Sequence, residues 1–417
     1  MDDRELRGLQ IAAKERLVYS KTAGWTVPSQ SGLGTYNVRQ NVPESLGLRC
    51  TCPDFETRGR ACKHVFAVEI VRKRENPDGS VLTETVRVTY SQDWTAYNAA
   101  QCEEKERFLP MLRDLCSLIP NPPQAKGRPR MPRSDMAFAA VHRVYAGLSA
   151  RRFDTDVRED KANGLTESDA HFNTVLRYLR DPEMTPLLRQ LVEITALPLK
   201  EVETDFAVDS TGFTTSRFER WYDHKWGKER TRQKWIKLHA MTGVRTNIVT
   251  AVEVRADQSH DTNYLRPTLA TTVESGFTVR DVTADKAYSS KANLQAVEDA
   301  GGTPYIPFRG HIPAFNAIQP SLPGTMSIFY KMQHMFAYQR DTFLSHYHKR
   351  SNVETTFSMI KRKFGDSLRS KSDTGQINEV LCKVIAHNLC VLIACIHEIG
   401  LEAPEFATAA GTVGLSA

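Results

Sequence analysis

Five short apolar segments between Thr204 and Phe308 constrain the fold of this chain more than any other feature of its sequence. FAVDSTGF, WIKLHAMT, NIVTAVEVRA, RDVTADKAY and TPYIPF are rich in β-branched and aromatic residues, which favour strands. Helix-like stretches over Asp261 to Glu274 and Ser290 to Asp299 separate the last three segments. Three strands followed by alternating helix and strand predict an α/β fold with a mixed sheet that begins as an antiparallel meander.

Two aspartates stand where two of these segments end. Asp209 is followed by Ser210, Thr211 and Gly212, and Asp285 directly follows DVTA. Carboxylates at the ends of neighbouring strands converge on hard divalent cations, which prefer oxygen ligands. A third carboxylate from a helix would complete such a site.

Four polar residues share a stripe at the start of a predicted helix over His348 to Phe364. Tyr347, Arg350, Glu354 and Lys361 are spaced i, i+3, i+7 and i+14, which places them on one side of an α-helix. Such a stripe is unusual for the inward face of a structural helix, which is normally apolar.

A purely structural interpretation of these residues stays open at this point. Asp209 would then cap a turn, and Asp285 would pair with Lys286. The polar stripe would be a solvated face, because Val353, Phe357, Ile360 and Phe364 supply an apolar face beside it.

The segment YHKRSNVETTFSMIK matches the Y-x-x-R-x-x-x-E-x-x-x-x-x-x-K signature of bacterial insertion-sequence DDE transposases. FAVDSTGF and VTADKAYSS resemble the regions around that family's first and second aspartates. The resemblance covers Thr204 to Ile399 and implies a ribonuclease-H-like catalytic core. It also implies that Asp209, Asp285 and Glu354 are catalytic and hold two Mg²⁺ or Mn²⁺ ions. Tyr347, Arg350 and Lys361 would contact DNA.

Two pairs of metal-ligating side chains lie near the N-terminus. They are Cys50 with Cys52 and Cys62 with His64, and four such ligands in two close pairs suit one structural Zn²⁺ in tetrahedral geometry. The pattern resembles a SWIM zinc finger, a module associated with binding DNA or protein, and both partners stay open. The alternative is three free cysteines and a surface histidine.

The length of 417 residues predicts more than one globular unit, since single cores seldom exceed roughly 250–300 residues. We predict an N-terminal module at 1–118 with the zinc finger at about 48–70, a basic Pro-rich linker at 119–133, a helical candidate DNA-end-binding domain at 134–200, the catalytic domain at 201–400 and a flexible tail at 401–417.

Four local features complete this division of the chain. Val81 to Tyr90 has strand-like composition, and Arg309 to Met335 is rich in Pro and Gly and predicts a loop or insertion. Asp261 is interpreted as an N-cap. KGRPRMPR resembles an AT-hook, with a plain basic linker as the alternative.

The net charge of +6 favours a polyanionic partner. We find no signal peptide, and the most apolar run, Val380 to Ile399, is interrupted by charged and polar residues, so we expect no membrane association. The cysteine pattern fits a reducing compartment. We therefore expect a bacterial cytoplasmic, nucleoid-associated protein.

Together these features predict a DNA transposase that cuts and joins transposon ends. Its partners would be double-stranded DNA, both terminal inverted repeats and target DNA, and a second copy of itself, since two ends must be joined in one reaction. Two alternatives are a nuclease of the same fold without strand transfer and a zinc-dependent DNA-binding protein derived from a transposase.

Overall fold

A computed structural model of the chain describes residues 3–15, 17–20, 22, 24–29, 34–41, 47–74, 93–123, 126–127, 129–215, 235–256, 260–308 and 327–406. The chain divides into two units, Met1–Gln92 and Asp93–Ala417. The predicted strand at 81–90, residue 128 of the AT-hook-like segment and the tail from 407 onward lie outside the described residues.

The N-terminal unit is built on a four-stranded antiparallel sheet in the order β1-β2-β3-β4. Its small core contains Ile11, Val27, Val38, Val65 and Val68, which pack around three cysteines. Its elements are α1 (Asp3–Lys14), β1 (Val18–Ser20), β2 (Gly24–Pro28), β3 (Thr35–Gln40), β4 (Leu48–Cys50), α2 (Pro53–Arg58) and α3 (Lys63–Arg74).

Six helices open the larger unit within its described residues. They are α4 (Trp94–Cys102), α5 (Glu104–Ser117), α6 (Arg133–Tyr145), α7 (Asp154–Ala162), α8 (Phe172–Leu179) and α9 (Met184–Ala196). Phe108, Leu115, Val141 and Leu188 belong to the same buried cluster as Phe206 of the sheet. The second unit therefore begins before the Pro-rich linker, because α5 buries its apolar face in the core of this unit. The finer division into five segments stays a prediction.

A five-stranded mixed sheet forms the centre of the larger unit, in the order β7-β6-β5-β8-β9. The strands are β5 (Asp205–Thr214), β6 (Trp235–Gly243), β7 (Val249–Arg255), β8 (Asp281–Ala284) and β9 (Thr303–Tyr305). The first three run antiparallel, whereas β8 is parallel to β5 and β9 is parallel to β8. This is the predicted meander followed by alternating helix and strand, and it confirms the α/β fold class.

Helices cover both faces of this sheet. Thr272 of α10 (Leu265–Glu274) shares a 2.8 Å hydrogen bond with Thr250, whereas Arg189 of α9 donates to Glu253 at 2.8 Å. All side chains from Val249 to Val252 are buried, as expected for a strand that is covered on both faces. The helix α11 (Lys291–Asp299) then links β8 to β9.

Four further α-helices follow the sheet in the part of the chain that the structure describes: α12 (Ile328–Tyr338), α13 (Arg340–Tyr347), α14 (Ser351–Phe364) and α15 (Asp373–Glu398). A 3₁₀ turn at His348–Arg350 separates α13 from α14. The predicted single helix from His348 is therefore wrong at its start. The predicted loop over 309–335 is also wrong from residue 328, where α12 begins; residues 309–326 lie outside the described part.

The helix α15 is long and apolar enough to cross a membrane by length and composition, but 78% of its most apolar stretch is buried inside the protein. Val380, Ile385 and Leu392 lie in the large core cluster. It is the central core helix of this unit. Its apolar composition therefore reflects tertiary packing.

Candidate active site and metal centre

Asp209 and Asp285 lie side by side on the central pair of parallel strands. The register of β5 and β8 pairs Val208 with Ala284, and the two aspartates are the next residue on each strand. Asp285 directly follows β8, as predicted. Asp209, however, lies within β5, which continues to Thr214 because residues 210–214 pair with β6; its last residue, Thr214, also pairs with Ser367.

Glu354 approaches the same place from the first turn of α14. Arg350 links the two elements, since its guanidinium donates to Asp209 at 2.7 Å and also to Glu354. The opposite side of α14 holds the helix on the sheet: Asn352 donates to the Val244 carbonyl at 2.6 Å. Val353 and Ile360 are fully buried beneath it.

Three carboxylates thus share one small region. Burial raises the pKa of Asp209 above its ordinary range, and the nearby Asp285 and Glu354 carboxylates raise it further against the opposing effect of Arg350. The side chain of Asp209 is 21% exposed and that of Glu354 is 57% exposed. The site therefore holds surplus negative charge that a cation from solvent can reach.

A cleft of about 560 Å³ opens beside these acids. Lys361 lies in its wall and donates to Thr211 at 2.6 Å, with its ammonium 5.5 Å from the ring centre of Phe213. Burial lowers the pKa of Lys361. The lining residues are Asp209, Ser210, Thr211, Glu354, Phe357, Ser358, Lys361, Arg362 and Asp366.

The N-terminal unit contains a second cluster of candidate metal ligands. One ligand atom from each of Cys50, Cys52, Cys62 and His64 lies within 4.8 Å of the others, and all four residues are buried. The Nδ1 of His64 is 3.8 Å from the Sγ atoms of both Cys50 and Cys62. A hydrogen bond from Cys50 lowers the pKa of the Cys62 thiol. The donor set and its spacing fit tetrahedral zinc.

Secondary structure holds these four ligands in place. Cys50 ends β4, and Cys52 is the N-cap of α2, where its sulfur accepts a 3.4 Å hydrogen bond from the backbone N–H of Phe55. Cys62 and His64 stand at the start of α3. The paired spacing read from the sequence thus corresponds to one ligand pair before α2 and one at the entry to α3.

Two family models match the chain. The first describes a transposase DDE domain and covers residues 200–389. The α/β core is a transposase DDE domain. The second describes a SWIM zinc finger and covers residues 36–73, which include the four clustered ligands. No curated protein matches the chain.

The match to the transposase DDE domain supports a transposase or endonuclease type of activity and implies that the protein acts on DNA. The family match covers both strand-borne aspartates as well as Glu354, Arg350 and Lys361. It ends at residue 389, within α15, so it includes only the first part of the helix that closes the core.

The polar stripe of the transposase domain is not one continuous helix. Tyr347 ends α13, Arg350 ends the 3₁₀ turn, and Glu354 and Lys361 lie on α14. Their side chains still face one region, because Arg350 reaches Asp209 and burial together with Asp285 and Asp209 raises the pKa of Tyr347. The helical spacing therefore predicted a shared side for these residues, but the backbone that carries them is not one continuous helix.

Asp261 is not the N-cap expected from the sequence. It begins a 3₁₀ turn at Asp261–Asn263, and its carboxylate pairs with Lys237 of β6. The N-cap position of that turn is held by His260, with no capping bond from its side chain. The carboxylate is directed to Lys237 instead of to the helix, because the tertiary fold brings Lys237 close to it.

A second ionic cluster of the transposase domain escaped the sequence interpretation. Asp205 and Asp281 are register partners at the first positions of β5 and β8. Lys349 donates to both, at 2.7 and 2.8 Å. The signal was present: DFAVD and DVTAD each place an aspartate four residues before the one already singled out.

Proposed function

We propose that this protein is a DNA transposase that cuts transposon ends by hydrolysis and joins them to target DNA by strand transfer. The observation that carries the proposal is the convergence of Asp209, Asp285 and Glu354 beside an open cleft within a transposase DDE domain. These three carboxylates are the proposed catalytic groups. A purely structural role explains the site less well. Asp209 and Glu354 share the single cation of Arg350, so the site keeps surplus negative charge.

The carboxylates suit Mg²⁺ or Mn²⁺. They offer oxygen ligands of the kind that hard divalent cations prefer, and their surplus charge is only partly balanced by Arg350. Two such ions would supply an activated attacking oxygen and offset the charge that develops on the leaving oxygen during in-line displacement. Asp209, Asp285 and Glu354 would hold them.

The cations around the cleft would then position the DNA backbone. Arg350 and Lys361 would each contact a phosphate, and the phenol of Tyr347 would donate a hydrogen bond to the backbone. Such contacts orient DNA without reading its sequence. Lys361 suits this role because its lowered pKa reflects an ammonium with little solvent around it, which a phosphate would stabilise.

The N-terminal unit would bind one structural Zn²⁺ through Cys50, Cys52, Cys62 and His64. Its four buried ligand atoms support this proposal, since buried thiols and an imidazole gathered within 4.8 Å gain little from one another without a shared cation. Whether the module then docks on DNA or on protein stays open. The transposase would work as a homodimer on DNA.

The catalytic proposal is tested by Asp209→Asn, Asp285→Asn and Glu354→Gln. Each change keeps size and shape but removes one negative charge, so each is expected to abolish cleavage of DNA carrying the element's ends while sparing the fold. The losses should not multiply in double variants, since the three groups act as one unit. Cleavage of the DNA that flanks the gene, measured in Mg²⁺ and in Mn²⁺, checks this.

The matched control is Glu201→Gln, because the Glu201 side chain is 92% exposed within the same unit. It should cleave like the wild type. Near-wild-type cleavage by Glu354→Gln would contradict the catalytic assignment.

Strand transfer separates the proposed transposase from a nuclease of the same fold. Pre-cut ends that carry a free 3′-hydroxyl should be joined to a target plasmid by the wild type, and ends blocked at that position should not. Cleavage without any joined product would favour the nuclease. DNA binding with neither product would favour the zinc-dependent DNA-binding protein.

A further inference from the structure

The turn that places Glu354 is tied to the sheet by an ion cluster outside the proposed catalytic group. Lys349 donates to Asp205 and to Asp281, at 2.7 and 2.8 Å. His346, three residues earlier, shares a 2.6 Å hydrogen bond with the same Asp281. Two side chains of one short segment therefore hold the first residues of both central strands.

The acidic side chains of this cluster are largely buried. The carboxylate side chains of Asp205 and Asp281 are 12% and 5% exposed. The ring of His346 stacks on Tyr305 of β9 with centroids 4.3 Å apart and planes 8° apart. Against burial, which works the other way, hydrogen bonds from Arg280 and Lys349 hold the pKa of Asp205 below its ordinary range. Asp205 and Lys349 therefore form an ion pair.

The cluster and the proposed active site lie in parallel register on the sheet. Asp205 and Asp209 are four residues apart on β5, as are Asp281 and Asp285 across the end of β8. Even spacing keeps each pair on one face, about 13 Å apart along the strand. Lys349 and Arg350 are consecutive, and the first binds the distant pair while the second binds Asp209 and Glu354.

We propose that Lys349 is a positioning residue of the transposase. By holding Asp205 and Asp281 together, it fixes the 3₁₀ turn that carries Arg350 and leads into α14, from which Glu354 reaches the site. The inference rests on the proposed function, because it assigns Glu354 a metal-binding role. Lys349 itself touches neither the DNA nor the metal. It acts through the backbone of residues 348–351, which begins α14.

Arg280 supplies a matched control for charge at the same carboxylate. Its guanidinium binds Asp205 through two hydrogen bonds of 2.8 and 2.7 Å, as close as those of Lys349. It precedes β8, however, and has no covalent link to the turn. Arg280→Gln therefore removes one cation from Asp205 and leaves the tie between sheet and turn in place.

The experiment measures Mn²⁺ binding to the full-length protein without DNA by electron paramagnetic resonance, together with Tm. Lys349→Met is expected to weaken Mn²⁺ binding by between about tenfold and about a hundredfold, as is typical when a group that orients a metal ligand is lost. Arg280→Gln should bind Mn²⁺ within about twofold of the wild type. Lys349→Arg should recover part of the affinity, since it restores a cation at the end of a long side chain.

A double variant guards against simple destabilisation. Lys349→Met with Asp281→Asn removes one cation and one carboxylate together, so its Tm should recover while its Mn²⁺ affinity stays low. Recovery of affinity along with Tm would overturn the positioning role, as would equal losses in Lys349→Met and Arg280→Gln. Wild-type affinity in Lys349→Met would overturn it as well.

Glu354→Gln distinguishes the two ways in which the inference can fail. If Glu354→Gln binds Mn²⁺ and cleaves DNA like the wild type, the proposed function falls, and the role of Lys349 falls with it. If Glu354→Gln weakens both while Lys349→Met changes neither, the proposed function stands and only the positioning role is wrong.

Discussion

The side chains around Asp209 carry opposite charges in close contact. Arg350 satisfies Asp209 and Glu354 at once, yet its guanidinium is also the cation proposed to hold a DNA phosphate. Lys361 instead binds a neutral hydroxyl, that of Thr211. The two cations should therefore differ in how their loss affects the protein without DNA, although both face the cleft region.

We predict that Arg350→Ala and Lys361→Ala each weaken binding to DNA ends and reduce its salt dependence. Removing one phosphate contact should lower the slope of log affinity against log salt by about one. Arg350→Ala should also lower Tm, because it leaves two acids without their shared cation. Filter or fluorescence binding at several salt concentrations measures the affinity and its salt dependence, and thermal melts measure Tm.

Lys331→Ala is the control for these two variants. Lys331 lies on α12, and its ammonium pairs with Glu298 at 3.1 Å, away from the proposed acids. Its affinity and salt slope should match those of the wild type. Equal slopes in all four proteins would rule out phosphate contacts for Arg350 and Lys361.

The helix α15 organises neighbouring elements through polar groups as well as apolar ones. Asn388 is fully buried within it. Its amide accepts from the backbone N–H of Val249 at 2.9 Å and donates to the Val249 carbonyl at 2.8 Å and to Thr195 at 2.9 Å. One side chain thus joins α15, β7 and α9.

We predict that Asn388→Leu lowers the free energy of unfolding by about 2–4 kcal/mol, because buried backbone groups of Val249 lose their partners. Chemical denaturation measures the change. Asn163→Leu, at an exposed position after α7, is the control and should change stability little. A loss below that of the control would mean that the network rearranges at no cost.

Packing of α9 against β7 places an acid where it is poorly solvated. Burial, helped by the neighbouring Glu274 and Glu253 and opposed by Arg189, raises the pKa of Glu193 from 4.5 to about 7. A carboxyl whose pKa is raised by folding stabilises the fold below its unfolded pKa, near 4.5, and that contribution is lost as pH rises through about 7.

We therefore predict that Glu193→Gln raises Tm at pH 8 by roughly 1–3 °C and has no effect at pH 4.5, where the wild-type carboxyl is already protonated. Thermal melts across this range test the sign. Glu201→Gln, at a 92% exposed side chain, should show no such trend. A gain that is constant with pH would show that titration of Glu193 is not its cause.

The whole molecule contains two units with separate cores. The N-terminal core is small and includes three of the four proposed zinc ligands, whereas the larger core runs from α5 through the sheet to α15. A small core that surrounds its metal ligands should depend on the metal for stability. The larger unit has no such need.

We predict that the full-length protein binds about one zinc per chain and that Cys62→Ser abolishes this binding. Chelation should increase hydrogen exchange in β4 and α3 while leaving β5 and α15 protected, because each unit keeps its own core. Cys102→Ser is the control, since Cys102 is a free, exposed cysteine of the larger unit. Absence of zinc, or equal exchange in both units after chelation, would contradict the prediction.

Local pattern was sufficient for much of this protein. The order of strands and helices from Thr204 to Phe308, and the paired zinc-ligand spacing, depend on periodicity and turn chemistry within short stretches, and the fold bears both out. The resemblance to DDE transposases rested on motifs of the same short range, and the family match confirms it. Catalytic roles for Asp209, Asp285 and Glu354 stay predictions.

Contacts between distant residues account for what local pattern missed. The last residue of β5 pairs with residues 366–368 as well as with β6, and α5 joins the larger unit because its apolar face packs against that unit's core. Asp205 and Asp281 look like ordinary strand residues until β5 and β8 bring them together under Lys349. Such pairings join positions 68 to 152 residues apart, and no short-range periodicity reports on them.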